Sequence, residues 1–128
     1  MSPPPKEPEA AAVYFVYVLR CEDGSLYTGI TTDPARRFAE HAGRGGRGAR
    51  YTARHRPVRF EAVWTADGRA AASRLEYRIK ALTRPEKERL LRGDAPQGLE
   101  LEPYRRLSPS EAGRFAPVVP SPPQPPHP

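Results

Sequence analysis

The sequence predicts an α+β domain: a small, three-stranded, mostly antiparallel sheet with flanking helices, in the order β-β-α-β-α-α. Three observations lead there. Two adjacent runs rich in β-branched and aromatic residues, VYFVYVLR and LYTGIT, are separated by the turn-forming EDGS. A helix-start signal, Asp33-Pro34, follows at once. Further on, Ala71, Leu75, Ile79 and Leu82 recur at helical spacing.

The first two runs, residues 13–20 and 26–31, form a β-hairpin whose register decides which side chains share a face. A two-residue loop at Asp23-Gly24 would send Tyr17 and Tyr27 to opposite faces. A three-residue loop, Glu22-Asp23-Gly24, sets Tyr17 opposite Gly29 and Leu19 opposite Tyr27, with Gly24 in the left-handed position. The second register is preferred because it collects Val16, Val18, Leu26 and Ile30 on one face and both tyrosines on the other. Asp33 then caps a helix with Pro34 in its first turn, running to Ala42 and stopping at Gly43. Residues 43–48 are too glycine-rich for regular structure. Residues 58–65, VRFEAVWT, alternate apolar and polar positions as a third strand. Asp67-Gly68 turns the chain into a helix over 69–82. Thr83-Arg84-Pro85-Glu86 is a capping box that opens another, ending near Gly93. Residues 94–116 are ambiguous; Ser108-Pro109-Ser110-Glu111 has the form of a cap for one short helix.

Of the 17 prolines, only Pro34, Pro57 and Pro85 lie between residues 13 and 93. Residues 1–12 and the closing run PVVPSPPQPPHP lack apolar periodicity and are expected to be extended tails, because they cannot bury enough apolar surface to offset ordering entropy. The expected division is therefore a Pro-rich tail at 1–12, a folded domain at 13–93, and an extended or partly helical segment at 94–128. A Pro-rich tail can also engage a protein partner. The formal net charge is +6, and its distribution is uneven: eight arginines stand against Asp33 and Glu40 between residues 33 and 59. Cys21 is the sole cysteine, which excludes an internal disulfide and a cysteine-based zinc site. Neither a signal-type N-terminus nor a run of membrane-spanning length is present, so a cytoplasmic protein without membrane association is expected.

Several residues can carry chemistry, each with an ordinary structural reading beside it. Tyr17 and Tyr27 are either half-buried strand aromatics or hydroxyls aimed at a phosphate or a hydrolytic water. Gly29 inside a strand marks a bulge or a close approach of ligand or backbone. Arg37 and His41, four apart on the first helix, are either solvated or a phosphate-neutralising arginine with an assisting histidine. Glu76 either pairs with Lys80 or holds Mg²⁺, which needs only one or two protein oxygens besides water and phosphate. In the stretch GRGGRGARYTARHR, Arg44, Arg47, Arg50, Tyr51 and Arg54 form a flexible solvated loop or a phosphate-contacting segment.

In this order, Phe15-Val16-Tyr17, Tyr27-Thr28-Gly29, Arg37 with His41, and Glu76 resemble the GIY-YIG endonuclease superfamily. The flanking segments YVLRCEDGSLYTGITTDPARRFAEH and RLEYRIKALTRPEKERL are especially similar to a bacterial subfamily of small stand-alone members. The resemblance spans residues 13–93. It implies a divalent-metal-dependent endonuclease hydrolysing nucleic-acid phosphodiesters, DNA being the expected substrate. It also implies roles: Tyr17 to activate or position the attacking water, Tyr27 to stand near the scissile phosphate, and Gly29 to permit close packing. Arg37 would stabilise phosphate charge with His41 assisting, and Glu76 would be the carboxylate ligand of one Mg²⁺ or Mn²⁺. Phe15 and Val16 replace the Gly and Ile of the first tripeptide, and Thr28 replaces the Ile of the second. A tyrosine of ordinary pKa is a poor base at neutral pH, and a metal or arginine nearby would be needed to lower it. The alternative is a non-catalytic nucleic-acid-binding module that keeps the nuclease fold.

Overall fold

A computed structural model describes residues 13–42 and 56–115. Three strands form first, β1 (Val13–Cys21), β2 (Leu26–Thr31) and β3 (Pro57–Asp67), with α1 (Pro34–Ala42) between the second and third. Two helices follow, α2 (Arg69–Lys80) and α3 (Arg84–Leu91), then a two-residue strand β4 (Arg105–Arg106) and a short helix α4 (Pro109–Gly113). The sheet is antiparallel throughout, in the order β2-β1-β3-β4. The α+β architecture stands as predicted, and β4 adds a fourth strand to the three expected.

The hairpin takes the three-residue loop. Tyr17 pairs with Gly29 and Leu19 with Tyr27. Cys21 N–H donates to the Ser25 carbonyl at 2.9 Å, and Gly24 sits at φ 86°. Alternate residues of β1 therefore serve two separate layers. Val16 and Val18 join Ala62, Trp64 and Ala66 of β3 on one face, beneath Ala72, Leu75 and Ile79 of α2 and Leu90 of α3. Leu26 and Ile30 of β2 complete that layer, and Leu99, Leu101 and Tyr104 extend it beyond residue 93. On the other face Tyr17 and Leu19 pack with Phe38 of α1, Val63 of β3, Ala112 of α4 and Leu107 just ahead of that helix, edged by Phe15, Tyr27, Phe60 and Phe115.

The ladder between β1 and β3 slips by one residue: Val18 faces Ala62 but Leu19 faces Phe60, leaving Glu61 as a bulge. The Glu61 carboxylate accepts from Arg20 at 2.7 Å, while Arg20 grips Glu88 of α3 through two bonds of 3.0 Å. Arg84 joins the same carboxylate at 2.9 Å and the Gly24 carbonyl at 2.7 Å, tying the hairpin loop to α3. Helix ends follow the sequence signals. Asp33 accepts from Arg36 N–H at 3.1 Å, and Thr83 with Glu86 and Ser108 with Glu111 form reciprocal capping boxes. Arg106 donates to the Leu90, Leu91 and Glu61 carbonyls and lies over the Trp64 ring, 5.5 Å from its centre. It adds a charged donor to the C-terminal carbonyls of α3, of which Leu90 also accepts the Gly93 N–H at 3.0 Å. No described helix is long and apolar enough to cross a membrane.

Candidate active site

The candidate site begins at a glycine. Gly29 is buried, and a Cβ built there would meet the Tyr17 hydroxyl at 2.5 Å and its ring at 2.7 Å. The close approach anticipated at this glycine is thus made by the side chain of its own cross-strand partner. The Tyr17 ring lies across the space that a side chain at 29 would fill. It stacks near Tyr27 at 6.3 Å between centres and meets the edge of Phe60 at 5.7 Å. Helix α1 brings the polar groups. Pro34, Phe38 and His41 are its buried residues, so the helix turns His41 inward with Phe38. The Tyr17 hydroxyl reaches His41 Nε2 at 3.1 Å, and the Tyr27 and His41 rings meet at 4.7 Å.

Arg37 lies beside this pair. Its side chain is 17% exposed, its guanidinium binds Glu40 at 2.9 Å, and its charge bears on the Tyr17 hydroxyl. One proton lies between the Tyr17 hydroxyl and His41 Nε2, and His41 Nδ1 has no hydrogen-bond partner among the described residues. Burial, with Arg37's positive charge, lowers the His41 pKa to about 4, against a weaker upward pull from Glu40. Burial also pushes the Tyr17 phenol up, helped by Tyr27 and Glu76, and outweighs the opposing Arg37. Both groups are uncharged at neutral pH, and the lowering of a tyrosine pKa that a nearby arginine would favour does not occur at Tyr17.

Glu76 comes from the other side of the sheet. Helix α2 covers the aliphatic face, yet Glu76 stands one position off its buried stripe, and its charge is felt at the Tyr17 hydroxyl. Its side chain is 22% exposed and pairs with Lys80 at 3.0 Å. No group of three or more His, Cys, Asp or Glu side chains able to hold a metal occurs among the described residues. The donor chemistry thus suits a hard cation held by one carboxylate, water and phosphate, and does not suit a closed zinc cage.

The structure brings Tyr17, Tyr27, Gly29, Arg37 and His41 into contact and sets Glu76 within electrostatic reach. Tyr17 and His41 are enclosed, 0% and 1% exposed, so the groups open to solvent are Tyr27, Arg37 and Glu76. Arg44, Arg47, Arg50, Tyr51 and Arg54 lie outside the described residues, as does the Pro-rich tail. Glu40, as the counter-charge of Arg37, is a site residue that sequence reasoning missed; its i,i+3 spacing from Arg37 was the available signal. A cavity of about 720 Å³ opens between β3 and the C-terminal segment, lined by Phe60 and Leu107 among others, and includes none of the predicted catalytic or metal residues.

Comparison with known proteins converges on one family. Residues 13–89 match the family model described as the GIY-YIG catalytic domain. A UPF0213 protein of Vibrio cholerae is 49% identical over 90 residues, covering 68% of this chain and 85% of that protein. A UPF0213 protein of Halobacterium salinarum is 47% identical over 78 residues, covering 61% of this chain and 99% of that protein. The solution NMR structure of a UPF0213 protein from Bacillus halodurans is 35% identical, covers 66% of this chain and 88% of that one, and superposes with a TM-score of 0.41.

Proposed function

The chain belongs to the GIY-YIG catalytic-domain family, and from that premise we propose that it is a divalent-metal-dependent endonuclease cutting nucleic-acid phosphodiester bonds, DNA being the expected substrate. The observation that carries the reading is the arrangement around the Tyr17 hydroxyl: it is hydrogen-bonded to a buried neutral His41, and the charges of Arg37 and Glu76 bear on it. A cation, a carboxylate and an uncharged hydrogen-bonded pair at one place suit a reaction that adds negative charge to a phosphate.

The roles divide by exposure. Arg37 offsets the charge that develops on the phosphate, and its fork geometry suits two phosphate oxygens. Tyr27, half-buried beside it, offers a hydroxyl toward the scissile group. Tyr17 and His41 act from behind as positioning residues. Glu40 fixes the guanidinium through its 2.9 Å ion pair, and the neutrality of Tyr17 and His41 leaves the enclosed side of Arg37 without a second counter-charge. Glu76 would hold one Mg²⁺ or Mn²⁺, giving up Lys80 to do so. A bound ion supplies Lewis-acid polarisation of a phosphate oxygen and a more acidic water. A cytoplasmic location is part of the same reading.

The test is cleavage of single-stranded, duplex and branched DNA with Mg²⁺ or Mn²⁺. Glu76→Ala and Arg37→Ala should each lose about 100-fold or more in rate, the scale of one lost transition-state contact. Tyr17→Phe should lower kcat with little change in KM, since it removes only the enclosed hydroxyl on which the charges of Arg37 and Glu76 bear. Equal cleavage by wild type and Glu76→Ala would refute the assignment. Binding without cleavage on every substrate would make the domain a nucleic-acid-binding module.

A further inference from the structure

Among the large apolar side chains described, Tyr77 is the most exposed, at 75%. It stands mid-way along α2, turned away from Ala72, Leu75 and Ile79, which face the core. One helical turn to either side lie Arg74 and Lys80, three residues away, and Ser73 and Ala81, four away. Small neighbours leave the ring uncovered while cations flank it. The helix carries Arg69, Arg74, Arg78 and Lys80 against the single carboxylate of Glu76. The surface is also continuous with the candidate site, because Lys80 binds Glu76 at 3.0 Å.

We propose that Tyr77 is a stacking platform for an unpaired base, with Arg74, Arg78 and Lys80 drawing the adjoining phosphates. The substrate is then single-stranded nucleic acid, or the unpaired flank of a junction, running from Glu76 across the outer face of α2. The proposal rests on reading the Tyr27–Glu76 surface as a nuclease site. Its chemistry is specific: every base has a π-face on which an aromatic ring can stack, but a duplex hides those faces and an unpaired strand presents them. Flanking cations attract the backbone of either form, so the aromatic ring alone confers the preference.

The test measures fluorescence anisotropy of the full chain with a labelled single strand and with a duplex of equal length, in chelator so that binding is read without cutting. Tyr77→Ala should weaken single-strand binding about tenfold, the size of one lost base stack, and change duplex binding less than about twofold. Tyr77→Trp should restore the affinity, and Arg74→Ala should weaken both substrates and flatten the salt dependence. Ala is the best helix former and the site is exposed, so an unchanged melting temperature is expected and verifies folding. Unaltered single-strand affinity in Tyr77→Ala, equal losses on both substrates, or no single-strand binding by the wild type would each overturn the platform; unaltered affinity would point to a protein partner for this face. The two readings separate cleanly. If Glu76→Ala abolishes cleavage while Tyr77→Ala binds normally, only the platform fails. If Glu76→Ala cuts like wild type while Tyr77→Ala loses single strands, the nuclease assignment fails and a binding surface remains.

Discussion

Replacing Gly29 with alanine tests the packing on which the site depends. The added Cβ would stand 2.5 Å from the Tyr17 hydroxyl oxygen and 2.7 Å from the ring carbon bearing it, where real Cβ atoms essentially never approach within 3.0 Å. The backbone at Gly29 lies outside the positive-φ region, so the whole penalty is steric. Tyr17 has little room to retreat: it is 0% exposed and bounded by Phe60, Tyr27 and His41. Overpacking of this kind costs about 1–3 kcal/mol. Removing a strand glycine returns about 0.5–1 kcal/mol of that, which leaves a net loss centred on about 1 kcal/mol and at most about 2.5 kcal/mol. For a domain of this size the melting temperature falls by roughly 5–10 °C at the centre of that range. Urea unfolding followed by the fluorescence of Trp64, the lone tryptophan, reads the change directly. In a Tyr17→Phe background the same substitution should cost less but not nothing, because the 2.5 Å contact disappears and the 2.7 Å contact stays. An alanine variant as stable as wild type would refute the packing account of Gly29.

Three further outcomes are expected. Because His41 has a folded pKa of about 4 against 6.5 when free, the unfolded chain binds more protons between those values; stability is then complete above pH 6.5 and declines as pH falls toward 4. The loss approaches about 3 kcal/mol, should show as a falling urea midpoint, and should flatten in His41→Gln; a flat wild-type profile would contradict it. A second, lower window belongs to Glu88, which Arg20 and then Arg84 hold down at about 2 against an upward push from burial. Its contribution is present above about pH 4.5 and disappears as pH falls toward 2, a phase that Glu88→Gln should remove. Arg106→Ala strips a charged donor from three carbonyls and should cost about 2–3 kcal/mol, with a changed Trp64 emission in the folded state. Unchanged stability and emission would show that the arginine is incidental.

The hairpin register was legible because a period of two leaves little choice: one alignment segregates Val16, Val18, Leu26 and Ile30, and the other scrambles them. Helix starts were legible because capping is local chemistry, and Asp33, Thr83 and Ser108 all act as their spacing implies. What escaped depended on distant partners. Arg105 and Arg106 have no strand-type side chains; they pair because Leu107 N–H finds the Val63 carbonyl at 2.8 Å and the flanking residues pack. The enclosure of His41 was readable in part, since Pro34, Phe38 and His41 recur at helical spacing and share the buried face of α1. The burial of Tyr17 was not, because it arises where β1, β2, β3 and α1 meet over Gly29.

The run RFEAVW reads as plain alternation, although Phe60 and Ala62 serve opposite layers of the sheet. Glu61 behaves as a one-residue insertion, the first of two register shifts along the ladder between β1 and β3. Deleting it would leave Phe60 opposite Leu19 and Ala62 opposite Val18, each apolar residue still on its present side. The extra residue contributes nothing to the apolar layers; it supplies a carboxylate for Arg20 and a carbonyl for Arg106. A chain one residue shorter would keep its sheet and lose one of the two carboxylates on Arg20 and one of the three carbonyls on Arg106, with the Arg20–Glu88 joint to α3 left in place.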